Sequence, residues 1–225
     1  MYLYETHMHT FPVSRCARST VREMLKMYKD MGYTGVFVTN HFIDGSINID
    51  KSLPYEDKIR FYFSDYEEGL RAGREIGIDV FLGVELSYGG TDFLVYGLDR
   101  DWFLSHPEIE GMNKSDELRL MAAEGALIIQ AHPFREADYI DHIRLFPRNI
   151  HGVEVINAGR SEFENKMAKN FADAYRLSFF AGTDAHSHAQ KKFAGMMCDT
   201  RLFDVRDFIE RVRTGRMTLF ERTKE

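Results

Sequence analysis

Short segments that are apolar almost throughout, each leading to a histidine or a carboxylate, constrain this chain more than any other feature of its sequence. Residues 34–39 (TGVFVT) run into Asn40-His41, and residues 79–86 (DVFLGVEL) carry Glu85 near their end. Residues 126–131 (ALIIQA) run into His132-Pro133, and residues 178–183 (SFFAGT) run into Asp184. A strand with one face in water alternates apolar and polar side chains, whereas a strand covered on both faces is apolar throughout, as in helix-flanked parallel sheets. Residues 2–5, 91–98 and 152–156 read as further strands, and 217–220 as a short closing segment. Helical periodicity fills the intervals. Thr20 and Glu23 form a capping-box signature ahead of apolar residues at Val21, Met24, Leu25, Tyr28 and Met31, and Gly32 is placed to stop that helix in a left-handed turn. Residues 54–76, 114–124, 161–176 and 204–213 also read as helices, with capping-box signatures at Ser64/Glu67 and Ser161/Glu164. Residues 98–112 carry no clear pattern. About seven strands alternating with helices predict an α/β fold. A closed or nearly closed barrel is favoured over an open doubly wound sheet, because reactive side chains end too many strands for one crevice.

Composition sets the remaining bounds. A chain of 225 residues suits one α/β barrel, so residues 1–225 are expected to form a single domain. With 44% hydrophobic and 28% charged residues the chain is not of the disordered or low-complexity kind. Two cysteines, Cys16 and Cys198, are too few for a disulfide framework and point to a reducing, cytoplasmic setting. No apolar run approaches the roughly 20 residues of a membrane helix, and no basic-then-apolar leader opens the sequence, so no membrane partner is expected. A net charge of −6 argues against a broad nucleic-acid-binding surface.

In a parallel barrel the C-terminal ends of the strands converge on one mouth, where the active site is built. His7 and His9 end the first strand, His41 the second, and His132 the strand of residues 126–131, while Asp184 and His186 end the last long one. Five of the nine histidines therefore gather there with Glu85 and Asp184, a ligand set suited to Zn, Mn or Fe. His-x-His and Asp-x-His each place two ligands on one side of an extended chain. His106, His142, His151 and His188 read instead as ordinary surface or hydrogen-bonded histidines.

The ordered set Thr6-His7-Met8-His9-Thr10, Thr39-Asn40-His41, Gly83-Val84-Glu85, Ala131-His132-Pro133 and Gly182-Thr183-Asp184-Ala185-His186 resembles the PHP (polymerase and histidinol phosphatase) superfamily over residues 1 to about 190. That resemblance implies a distorted seven-stranded (β/α)7 barrel, two or three divalent metal ions and hydrolysis of phosphate esters by metal-activated hydroxide. Carried over by position, His7, His9, Glu85 and Asp184 would bind one metal. Glu85 would bridge to a second, held also by His132 and by Asp92, which stands where many members carry a histidine. His41 and His186 would hold a third. The family usually adds an aspartate or histidine five or six residues after His9, where this chain has Ser14 and Arg15. Arg15 is therefore expected to replace part of that third charge as a phosphate-binding cation, and Cys16 is read as a small buried thiol rather than a soft ligand.

Arg160 and Arg135 are the candidates to fork onto phosphate oxygens, and Glu154 to orient a ligating histidine from behind. The expected substrate is a small phosphomonoester of the histidinol-phosphate kind. A nuclease, a nucleotide phosphatase, a tyrosine phosphatase and a non-catalytic metal-binding module stand as alternatives.

Overall fold

The computed structural model describes residues 1–224. Its strands are β1 (Tyr2–Met8), β2 (Gly35–Val38), β3 (Asp79–Tyr88), β4 (Thr91–Tyr96), β5 (Leu127–Ala131), β6 (Gly152–Asn157), β7 (Ser178–Gly182), β8 (Lys192–Cys198) and β9 (Thr218–Thr223). The helices are α1 (Val21–Asp30), α2 (Tyr55–Ile76), α3 (Arg100–Ser105), α4 (Lys114–Ala123), α5 (Glu162–Tyr175) and α6 (Val205–Arg213). Both Thr20/Glu23 and Ser161/Glu164 close reciprocal capping boxes, which fix where α1 and α5 begin. Ser64 does not start a helix. It lies inside α2, where its hydroxyl donates back to the Phe61 carbonyl and so needs no terminal role.

All nine strands form one sheet in the order β7-β6-β5-β4-β3-β2-β1-β8-β9. Pairs β1/β2, β2/β3, β5/β6 and β6/β7 are parallel, as their apolar sequences require. Beyond the end of β7 the chain returns to β1. Ala185 bridges Met8, the Asp184 amide donates to the His7 carbonyl at 2.7 Å, and the His9 amide donates to the Ala185 carbonyl at 2.8 Å. Strands β1 to β7 thus close on themselves at the end where β1 and β7 finish. At the opposite end β8 pairs antiparallel with Tyr2–Tyr4 of β1, which makes the barrel nearly closed and distorted.

The expected regular (β/α)7 alternation does not hold. Strand β4 runs antiparallel to both β3 and β5. The reason is local: Gly89 (φ +55°) and Gly90 (φ +87°) both occupy the left-handed region that a two-residue hairpin turn demands, so no helix intervenes. No helix joins β5 to β6 either, among the described residues. Residues 98–112 form α3 and a short 3-10 turn, Pro107–Gly111. Strand β8, with Gly195 at its centre, has no counterpart in the sequence reading; β9 covers most of the short closing segment read there.

The floor of the barrel is aromatic. Tyr4, Phe37, Tyr96 and Phe180 are buried there beneath Phe208 of α6, whose ring lies 4.4 Å from that of Phe37 and 5.4 Å from that of Tyr96. The same layer supports the polar residues above it, since the Tyr96 hydroxyl donates to the Thr6 carbonyl at 2.7 Å. No helix is long and apolar enough to cross a membrane among the described residues.

Candidate metal centre

Period-two alternation along β1 sets Glu5, His7 and His9 on one side of the chain, and all three are fully buried. His7 Nε2 lies 3.1 Å from Glu85 Oε1 and 3.5 Å from Asp184 Oδ1. His9 Nε2 lies 3.4 Å from both Glu85 Oε2 and Asp184 Oδ1, and 3.2 Å from His7 Nε2. His132 Nε2 comes within 3.6 Å of Glu85 Oε1 and 3.8 Å of Asp184 Oδ2. His41 and His186 flank the His9 ring, their centroids 4.4 and 4.3 Å from it. Three overlapping groups able to hold a cation result: His7/Glu85/His132, His7/His9/Asp184 and His9/His41/His186. The backbone is held in the left-handed region at His132 (φ +25°) and Asp184 (φ +57°), strain of a kind that concentrates at functional sites.

The antiparallel hairpin brings Asp92 to the same mouth, opposite Ser87 on β3 and Ala131 on β5. Its Oδ2 is 3.9 Å from His132 Nε2 and 2.9 Å from Arg135 Nη2, and it stands outside the three groups. Arg135 also donates to the Gly90 carbonyl at 3.3 Å. Arg160, following β6, brings Nη2 to 3.9 Å from Asp184 Oδ2 and keeps Nε unpartnered. Both arginines line a cleft of about 530 Å³ over the buried carboxylates, together with Cys16, His41, Tyr139 and His186. Arg15 is exposed and does not line that cleft. The buried cysteine is Cys198; Cys16 is exposed to the cleft, contrary to the expectation for it. His106, His151 and His188 make hydrogen bonds of their own away from the site, and His142 lies exposed.

A second layer fixes the first. Glu154 accepts from His7 Nδ1 at 2.9 Å, from the His132 amide at 3.1 Å and from Asn157 at 2.9 Å. The His7 tautomer is thereby set with Nε2 turned inward. Ser14 Oγ receives the His41 amide at 3.0 Å and donates to Asn40 at 2.8 Å; Asn40 and Thr10 pass the chain on to the buried Asp65. Glu5 gathers the amides of Thr6, His7 and Thr183 under the site. Sequence reasoning singled out Glu154 and missed Glu5, Asn40 and Asp65. A charged residue in an otherwise apolar strand was the available signal for Glu5.

Burial works against charge throughout this cluster, yet the neighbours prevail. Glu85 is held well below the ordinary carboxylate range by His41, His7 and His9, and Asp184 likewise by His7, His9 and His132. The carboxylates in turn raise His7 and His41 well above the ordinary imidazole value. His9, buried and facing His186 and His41, is pushed down to about 3 and is neutral.

Both carboxylate oxygens of Glu85, Asp92 Oδ2, His132 Nε2 and His41 Nδ1 are buried with no aligned hydrogen-bond partner. Leaving a buried polar atom unpaired costs about 1–3 kcal/mol. Buried carboxylates and imidazoles converging on one volume, each imidazole able to give up its proton to a cation, are the donor set of a divalent ion, so the residues present fit one.

No family model and no curated protein matches this sequence. Solved structures do. One is a two-domain protein from Bacteroides vulgatus described as containing a predicted PHP-like metal-dependent phosphoesterase, at 15% identity over 97% of this chain, with a TM-score of 0.71. The two share a fold. This chain spans 64% of that two-domain protein's length. PsfC from Pseudomonas syringae shares 15% identity over 95% of this chain and 93% of its own, with a TM-score of 0.59. An amidohydrolase from Chromobacterium violaceum, solved with bound sulfate and no metal, shares 15% identity over 82% of this chain and 87% of its own, at a TM-score of 0.52. The buried imidazoles and carboxylates cluster at the mouth of this barrel.

Proposed function

We propose that this chain is a metal-dependent phosphoesterase that hydrolyses a small phosphomonoester. The observation that carries the reading is a cluster of buried ligand atoms on Glu85, His132 and His41, none with an aligned hydrogen bond, beneath two arginines that line the cleft. Divalent ions in such a set lower the pKa of a coordinated water and neutralise charge on phosphate oxygens. The protein's own residues do the rest. Glu85, with His7 and His132, and Asp184, with His7 and His9, would hold such ions. Glu154 and Ser14 keep the imidazoles aimed. Arg160, with Nε free and its head near Asp184, binds and orients the phosphate from one side. Arg135 approaches from the other, with one arm already near Asp92. The cleft admits a metabolite-sized ester of the histidinol-phosphate kind, and its two cations are too few to form a track for a polynucleotide.

Phosphate release from histidinol phosphate, sugar phosphates, nucleoside monophosphates, a phosphotyrosine peptide and short oligonucleotides tests this, with Mn²⁺ or Zn²⁺ added and with chelator. Turnover of a small monoester that chelator and His9→Ala both abolish is the expected result. Release that chelator leaves intact would overturn the metal-dependent reading, and cleavage confined to oligonucleotides would replace the substrate class.

A further inference from the structure

The group His9/His41/His186 differs from the other two candidate groups in that it contains no carboxylate. Three imidazoles can hold a divalent ion, with the Glu85 and Asp184 carboxylates each 3.4 Å from His9 Nε2, and a tetrahedral site takes a fourth ligand, for which an anion on the cleft side serves. His41 is nine-tenths buried and its Nδ1 has no aligned hydrogen-bond partner, although Glu85 Oε2 lies 2.7 Å away. Of the three residues that follow the turn after His9, Ser14 is already engaged by the His41 amide and by Asn40. Arg15 is exposed and does not line the cleft. Cys16 does line it beside His186 and His41, with its thiol in reach of both imidazoles, though it stands outside the three groups. The loop that carries it is pinned on both sides. The Arg15 amide donates to the Ser46 carbonyl at 2.8 Å, and the Arg18 amide donates to the His186 carbonyl at 2.8 Å, which ties the cysteine to the histidine beside it.

We propose that Cys16 supplies the anionic ligand of this group, making it a three-imidazole, one-thiolate cation site. This rests on the metal-centre reading above and adds a selectivity to it. A thiolate is a soft ligand, so this position takes Zn²⁺, Co²⁺ or Fe²⁺ in preference to Mn²⁺ or Mg²⁺, while the carboxylate-containing groups around Glu85 and Asp184 discriminate less. The one chain thereby carries two kinds of cation position within a single cleft. Cys198, buried in the core beside β1, takes no part.

Titration of the metal-free full-length chain with Co²⁺ alone, without air or thiol reductant, tests the assignment by absorption rather than by activity. The visible bands of bound Co²⁺ report occupancy, and a strong near-ultraviolet thiolate-to-cobalt band reports sulfur ligation. The near-ultraviolet band is expected in the native chain and in Cys198→Ser, and absent in Cys16→Ser, which should also bind one ion about tenfold or more weakly. Alkylation of Cys16 by iodoacetamide, followed by mass spectrometry, should slow about tenfold or more when Zn²⁺ is present. Visible bands at full occupancy without the near-ultraviolet band, or a band that survives Cys16→Ser, overturn the proposal and leave the metal-centre reading standing. Absence of the visible bands altogether overturns both.

Discussion

Glu154 serves two histidines at once. Its Oε1 accepts from His7 Nδ1 and its Oε2 from the His132 amide, so one buried carboxylate positions two histidines that arrive from β1 and from the end of β5. Glu154→Gln keeps the shape but puts an amide where an acceptor is needed. Metal affinity should fall about 10–100-fold with little loss of stability, as isothermal titration with Zn²⁺ would show. An unchanged affinity would mean that His7 is aimed by packing alone. Arg160 acts one step further out. If it grips phosphate, Arg160→Ala should lower kcat/KM about 10–100-fold while metal affinity stays constant, and Arg160→Lys should restore little because a single ammonium cannot fork. At this scale the clustered imidazoles and carboxylates were legible because several of them, Glu85, His132 and Asp184 among them, close apolar runs. Glu5, Asn40 and Asp65 were not, since their task is set by which amides and hydroxyls reach them across 178, 30 and 55 residues of chain, respectively.

Elements place what residues supply. The β3–β4 hairpin is the departure from regular alternation, and it carries Asp92 to the mouth at the start of β4 rather than at a strand's end. Gly90 is the hinge of that device. Its φ is +87°, and a Cβ there would fall 2.8 Å from Ile140 Cγ1. Gly90→Val should therefore cost about 1–3 kcal/mol through backbone strain and a displaced Ile140 loop. Denaturant melts would measure the loss, and a melt that matches the native chain would show that the turn tolerates another conformation. The sequence pattern located both strands of this hairpin, because Tyr88-Gly89-Gly90 separates two apolar runs, yet strand direction was hidden from it. Strand β8 escaped because Gly195 breaks its apolar pattern; a Cβ at that glycine would lie 2.2 Å from the Tyr4 carbonyl oxygen, so its glycine is required by close approach to β1. Barrel closure was equally illegible. It depends on Met8 meeting Ala185, a pairing between residues with no shared pattern.

Across the whole molecule, buried acids are tuned in opposite directions. Glu85 and Asp184 are lowered by histidines, so their contribution to stability is present above the ordinary carboxylate range and is lost as pH falls through their depressed values. Glu117 behaves oppositely. It shares Lys114 with Asp44, each carboxylate 2.6 Å from the ammonium, and the three tie α4 to the rim loop after His41. Two acids around one buried cation leave a surplus negative charge, and burial raises Glu117 from 4.5 to about 7 and raises Asp44 as well. A carboxyl whose folded value exceeds its unfolded one binds a proton preferentially in the folded state. Stability from this group is therefore full below pH 4.5 and declines as pH rises to about 7. The decline amounts to about 3–4 kcal/mol at most, since a tenfold difference in proton affinity between the folded and unfolded chain is worth about 1.4 kcal/mol. Glu117→Gln, which holds the neutral form at every pH, should flatten that part of the profile. Urea melts of the metal-free chain between pH 4.5 and about 8 would show it. Parallel profiles for the two proteins would mean that Lys114 neutralises both acids together, and the rim loop would then be anchored equally firmly across that range.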